Sequence, residues 1–230
     1  MQAKDIMTVN VVSVSEDTPV HEIVSLLLKY RISAVPVIDG AGKVVGIFSE
    51  GELLRGEGTS RARVHHPWWL EAVFVGQTVA YDKARGARAG VVMTRNVITV
   101  DEETPLNEIA ELLERHHIKR VPVLKGGRLA GIVSRANLLH GLANTIVDHH
   151  EPGAAKDRQL RNELVKILLA KHELDTALVN VTVTNGNVRL WGVIENASQA
   201  AMAEAAAKSL PDVKSVINNL GTGPVSGVPI

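Results

Sequence analysis

The chain repeats itself, and the repeat limits what it can fold into. Met7-Thr8 through Pro36-Val37-Ile38 aligns with Met93-Thr94 through Pro122-Val123-Leu124 at a constant offset of 86 residues, and about half of the aligned positions are identical. Asn10, Val11, Val14, Glu16, Thr18, Pro19, Glu22, Ile23, Leu26, Leu27, Ile32 and Val35 all recur at that offset. One turn of the second copy is a residue shorter. Gly46-Ile47-Phe48-Ser49 therefore matches Gly131-Ile132-Val133-Ser134, and Leu53-Leu54 matches Leu138-Leu139. One copy is a single supersecondary unit that buries little core by itself, so the expectation is two copies packed sheet to sheet.

Each copy reads as β-α-β-β-α. The first strand is Val11 to Val14, or Val97 to Val100. Thr18-Pro19 and Thr104-Pro105 then predict a threonine cap and a proline in the first helical turn. Apolar residues at 20, 23, 24 and 27, and at 106, 109, 110 and 113, form the stripe of a helix with one buried face. The second strands, Ala34 to Ile38 and Arg120 to Leu124, each carry a proline, which suits an edge or a bulge. Gly40-Ala41-Gly42 and Gly126-Gly127 turn the chain into third strands, Val44 to Phe48 and Leu129 to Val133. Short helices start near Glu50 and Arg135.

Composition narrows the function classes. The 25 basic and 25 acidic residues balance, which argues against a nucleic-acid partner. The absence of cysteine excludes disulfides, thiolate catalysis and zinc-thiolate sites. Met1-Gln2-Ala3-Lys4-Asp5 lacks the basic start and apolar core of a signal peptide. No apolar run approaches the ~18–20 residues that span a bilayer, so the expected location is cytoplasmic. No phosphate-loop, H-E-x-x-H or G-x-S-x-G motif occurs, and no nucleophile sits beside an identifiable base, so no enzyme activity and no catalytic residue are expected. His65-His66 and His116-His117 make poor bidentate pairs on a helix, because neighbours point about 100° apart. Asp148-His149-His150-Glu151 is the best metal candidate, and the reading assigns no metal site.

The order strand, Thr-Pro helix, x-V-P-V strand and G-I-x-S turn, found twice, resembles the CBS domain. The match covers about Ile6 to Arg55 and Val92 to Leu142. The resemblance implies a pseudo-twofold pair that associates as a homodimer. It also implies an adenosine-type ligand (AMP, ATP, NAD or S-adenosylmethionine), with no cofactor required. The family turn reads G-h-x-[ST]-x-x-[DN]. Its hydroxyl meets phosphate, its acidic or amide residue meets ribose, and the base lies against the strands. In the first copy the turn carries Ser49 and Glu52, with Glu50 adding negative charge where phosphate would lie. In the second it carries Ser134, Arg135 and Asn137, and Arg120 precedes Val121-Pro122. The better phosphate site is therefore expected at Ser134 and Asn137, with Arg120 and Arg135 approaching the phosphate. Thr99, Pro122, Ser13 and Pro36 complete the candidate lining. The alternative is a scaffold in which Ser49 and Ser134 only cap helices.

The expected boundaries are 1–56 and 91–147 for the copies, 57–90 and 148–154 between elements, 155–222 for a further domain and 223–230 for a tail. Trp68-Trp69 in the first intervening stretch reads as core or interface, and Arg85 to Gly90 as a flexible lead. The last domain reads α-β-β-α-β, giving a mixed α/β (α+β) protein. Its helix shows Leu160, Leu164, Ile167 and Leu168 on one face, and Val179, Val181 and Val183 alternate as a half-buried strand. Asn185-Gly186 signals a hairpin, Asn196 a helix cap, and Pro211-Asp212 a break before a last strand. Val181 to Gly192, V-x-V-x-N-G-x-V-x-L-x-G, with Asn218-Asn219 later, resembles a BON domain. That resemblance implies phospholipid or protein as its partner.

Overall fold

A computed structural model describes residues 1–50, 87–148 and 155–222. Glu52, the histidine pairs at 65–66 and 149–150, and Trp68-Trp69 lie outside the described residues. Two compact units emerge: Val12–Val97, and Met1–Val11 together with the chain from Ile98 onward.

Each unit holds one repeat, but not the contiguous one that the alignment suggests. In the first, α2 (Val20–Tyr30) packs on the antiparallel pair β1 (Ala34–Ile38) and β2 (Val44–Ser49). In the second, α4 (Leu106–Arg115) packs on β3 (Val100–Asp101), β4 (Arg120–Lys125) and β5 (Arg128–Ser134), in the order β3-β4-β5. The lead of each copy sits on the other copy. Helix α1 (Ala3–Ile6) donates from Ala3 N to Thr104 O and from Lys4 N to Glu102 O, both at 2.9 Å. Helix α3 (Ala89–Val92) does the same from Ala89 N to Thr18 O and from Gly90 N to Glu16 O, both at 2.9 Å. Thr8 bridges Ile132, and Thr94 bridges Ile47. The Met-Thr and Gly-Ile motifs of the repeat therefore meet each other across copies: a Cβ on Gly131 would strike Met7, and one on Gly46 would strike Met93. The expected flexible lead ending at Gly90 is instead helical at its end, with Ala89 fully buried.

Three local expectations change. The threonines do not cap the helices. Thr18 Oγ1 accepts from Ser15 N, and Thr104 Oγ1 from Asp101 N, each at 3.1 Å. Pro19 and Pro105 are the extended N-cap residues, and the first helical N–H groups donate instead to Ala87 O and Met1 O of the leads. A residue before proline is pushed to extended backbone, so the helix starts later. The first strands shrink to a Val14–Val37 bridge and to Val100–Asp101. Pro122 lies in the central strand, not at an edge; β3 pairs only with Val123 and Leu124, so the missing N–H breaks no ladder bond, and the bulge follows at Val123/Leu124. Val20, Ile23 and Leu27 are buried as the stripe predicts, as are Ile109 and Leu113, whereas Ala110 is exposed.

The second unit continues through α5 (Arg135–Asp148) into α6 (Ala155–Leu169), β6 (Val179–Thr184), β7 (Asn187–Ile194), α7 (Ala197–Lys208) and β8 (Ser215–Thr222). This is the expected α-β-β-α-β order. The hairpin forms at Asn185 (φ 50°) and Gly186 (φ 77°), the left-handed pair of a type I′ turn. Asn196 Oδ1 caps α7 by accepting from Gln199 N at 3.0 Å. Buried Asp157 on α6 accepts from Asn185 N (2.8 Å) and Gly186 N (2.9 Å), so the helix holds the turn. Asp157→Ala strands both donors and is expected to cost about 2 kcal/mol, read by urea unfolding. Leu160, Leu164, Leu168, Val181, Val188, Leu190 and Ala203 form a core separate from that of the second repeat, which is built on Ile6, Ile109, Val121 and Val133. Among the described residues no helix is long and apolar enough to cross a membrane.

Candidate functional site

Strand β5 delivers Ser134 to the start of α5, and the first turn of that helix places Asn137 beside it. Asn137 Oδ1 accepts from Ser134 N at 2.9 Å and from Ser134 Oγ at 2.6 Å, while Asn137 N reaches Ser134 Oγ at 3.4 Å. This reciprocal pair satisfies helix-end donors in the manner of a capping box. Asn137 Nδ2 donates to Ile6 O at 2.8 Å and lies 3.3 Å from Asn180 Oδ1 of β6. Asn137 is only 2% exposed. The amide expected to meet a ribose is bonded here to Ser134, Ile6 and Asn180.

Arg120 faces Ser134 across the ladder, so the second copy brings together Arg120, Ser134 and Asn137. Arg135 is exposed beside them, Pro122 is buried in the sheet, and Thr99 is half-buried just before β3. In the first copy the residue facing Ser49 is Ala34, so no cation stands where Arg120 stands. Ser49 is half-buried and Pro36 is buried. Ser13 lines a separate open cleft of about 660 Å³ with Ser15, Glu16, Asp17, Glu22 and Asp39. That acidic rim repels phosphate.

The contacts made by the C-terminal domain were not legible in the sequence. Strand β6 was expected to be half-buried, yet Asn180 (7%), Thr182 (3%) and Thr184 (2%) are as buried as its valines. β6 is an edge strand of its sheet, and α1 and α5 pack against it. Thr8 Oγ1 donates to Asn180 Oδ1, and Asn10 Nδ2 donates to Thr176 Oγ1 at 2.8 Å. His140 of α5 stacks on Trp191 of β7, with ring centroids 3.8 Å apart. Burial lowers the pKa of His140 from its ordinary value. On the other flank Asp5 pairs with Arg158 Nε at 2.8 Å. Arg161, 4% exposed, donates from Nε to Val181 O (2.8 Å) and from Nη2 to Met7 O (2.7 Å). Burial pushes its pKa down to about 10, opposed by the charge of Asp5, so it stays cationic at neutral pH. The pocket between Arg161, Met7, Asn10 and Thr176 has room for little more than a water, about 20 Å³.

Family profiles match this chain twice to the CBS domain, at residues 3–57 and 89–144, and once to the BON domain, at 156–224. An uncharacterized protein of Methanocaldococcus jannaschii is 32% identical over 154 residues, 62% of this chain and 91% of that protein. The crystal structure of CBSX2, a CBS-pair protein of Arabidopsis thaliana, matches with a TM-score of 0.52 and 27% identity, covering 63% of this chain and 96% of that one. A second structure of CBSX2, in complex with AMP, matches with a TM-score of 0.49 and 26% identity over 63% of this chain and 98% of that one.

Proposed function

The chain belongs to the CBS-domain family, with two CBS copies followed by a BON domain, and from that premise we propose that it is a regulatory sensor rather than an enzyme. Its CBS pair binds an adenosine-containing ligand of the AMP, ATP, NAD or S-adenosylmethionine class and passes the event to the BON domain. The observation that carries this reading is the position of Asn137: it belongs both to the turn that would meet phosphate and ribose and to the contact with Asn180. Arg120 and Arg135 flank that turn and supply positive charge for phosphate. The likeness to CBSX2, a protein also crystallised with AMP, supports an adenosine ligand. The same reading makes the protein a cytoplasmic homodimer through its CBS pair.

One observation favours a second reading, a dimerisation scaffold or adaptor whose BON domain meets phospholipid or protein: the amide of Asn137 is engaged by protein groups, its oxygen as a cap and its nitrogen on Ile6 and Asn180. Thermal melting with AMP, ATP, NAD and S-adenosylmethionine separates the two. A ligand at 100 times its Kd adds about 2.7 kcal/mol, which raises Tm by roughly 5–10 °C in a chain of this size. The shift is expected to vanish in Ser134→Ala and Asn137→Ala. Unmoved melting with all four compounds, together with pelleting of the protein on anionic vesicles, rejects the sensor in favour of the adaptor.

A further inference from the structure

We infer that the C-terminal domain is a reversible cap on the second repeat, and that its docking excludes ligand from the Ser134–Asn137 turn. The inference rests on the sensor reading above and supplies its mode of regulation.

The cap covers the turn directly. With β6 docked, Asn137 is 2% exposed and each side-chain polar atom faces a protein partner, one of them Asn180. Of these contacts only the one to Asn180 belongs to the C-terminal domain, so undocking leaves the bonds to Ser134 and Ile6 in place and opens to a ribose the Nδ2 edge that Asn180 covers. The contact is also built to separate. The two sides keep distinct hydrophobic cores, so parting them leaves each core intact. What joins them across the turn is amide and hydroxyl chemistry: Thr8 with Asn180, Asn10 with Thr176, and Asn137 with Asn180. Such bonds exchange for bonds to water at a small net cost. Polar contacts of this sort between domains permit relative motion.

The docked state is moreover incompletely satisfied. Thr184 Oγ1 and Trp191 Nε1 are buried with no partner among the described residues. A buried unpaired polar atom is disfavoured, and exposure to water would satisfy both. Arg161 has likewise given up solvation that release restores. Opposing release are the Asp5–Arg158 pair, the Arg161–Met7 bond and the His140–Trp191 stack. Ligand and cap therefore compete for the Nδ2 edge of Asn137, across an interface held on its other flank by charge.

The absence of native cysteine makes a clean test. Asn10→Cys and Thr176→Cys in the full chain replace two hydrogen-bonded side chains with a pair that locks the cap when oxidised and frees it when reduced. The probe is AMP, titrated calorimetrically, and the second readout is exchange of the Trp191 indole N–H with solvent. The oxidised form is expected to bind AMP at least tenfold more weakly than the reduced form, and to exchange that proton at least tenfold more slowly. Asn180→Ala, which removes the bonds to Thr8 and Asn137, is expected to bind AMP more tightly than wild type and serves if the double variant fails to fold. Equal AMP affinity in both redox forms overturns the exclusion while leaving the sensor reading intact. Equal indole exchange overturns the cap. Slowed exchange in the oxidised form with no AMP bound by any form upholds the cap and sinks the nucleotide reading instead.

Discussion

Gly192→Ala is expected to destabilise the C-terminal domain by about 3–5 kcal/mol, the sum of a forbidden backbone conformation and a steric overlap. Gly192 sits in β7 at φ +132°, where L side chains rarely go, and an added Cβ would fall inside the carbonyl of Leu178. That carbonyl cannot yield easily, because Leu178 ends the 3-10 turn Thr176–Leu178 that leads directly into β6. Urea unfolding followed by circular dichroism would read the loss as an early transition of this domain, with the repeats unfolding later. A variant that unfolds with wild-type midpoints would show that the close approach of Leu178 to β7 does not constrain the domain.

The second large effect is expected at Arg161. Arg161→Met keeps the apolar stem but removes the guanidinium, leaving Val181 O and Met7 O without that donor and taking away a positive charge that interacts with Asp5. Each lost bond costs ~1–3 kcal/mol, so the loss should be about 3 kcal/mol. Unlike Gly192→Ala, this change also loosens the lead at Met7 from the C-terminal domain. It should therefore lower the midpoint and speed indole exchange at Trp191 together. A loss of stability with unchanged exchange would confine Arg161 to the core of its own domain.

Both effects arise where the sequence was hardest to read. The elements themselves were plain, because hydrophobic period and turn chemistry are local: the β6–β7 hairpin follows from Asn185-Gly186, and the start of α7 from Asn196. The Ser134–Asn137 turn was visible for the same reason, as a motif within four residues. What was not visible was long-range. Asn180, Thr182 and Thr184 occupy the alternate positions of a strand, which ordinarily face water, and no residue of β6 announces that another element covers them. Asn137 looks the same in a sequence whether it meets ribose or a peptide carbonyl. Arg161 lies in a helix of mixed polarity, where a cation reads as surface until the lead at Met7 is placed on it. Alignment gives each Met-Thr lead to the copy that follows it, whereas its hydrogen bonds run to the other copy, a pairing that no local pattern displays.

That crossing of the leads bears on how such a chain could arise. Two single-copy polypeptides that kept this geometry would trade leads, each Met-Thr meeting the other's Gly-Ile strand, as a domain-swapped dimer does. Thr8 with Ile132 and Thr94 with Ile47 preserve the trade inside one chain.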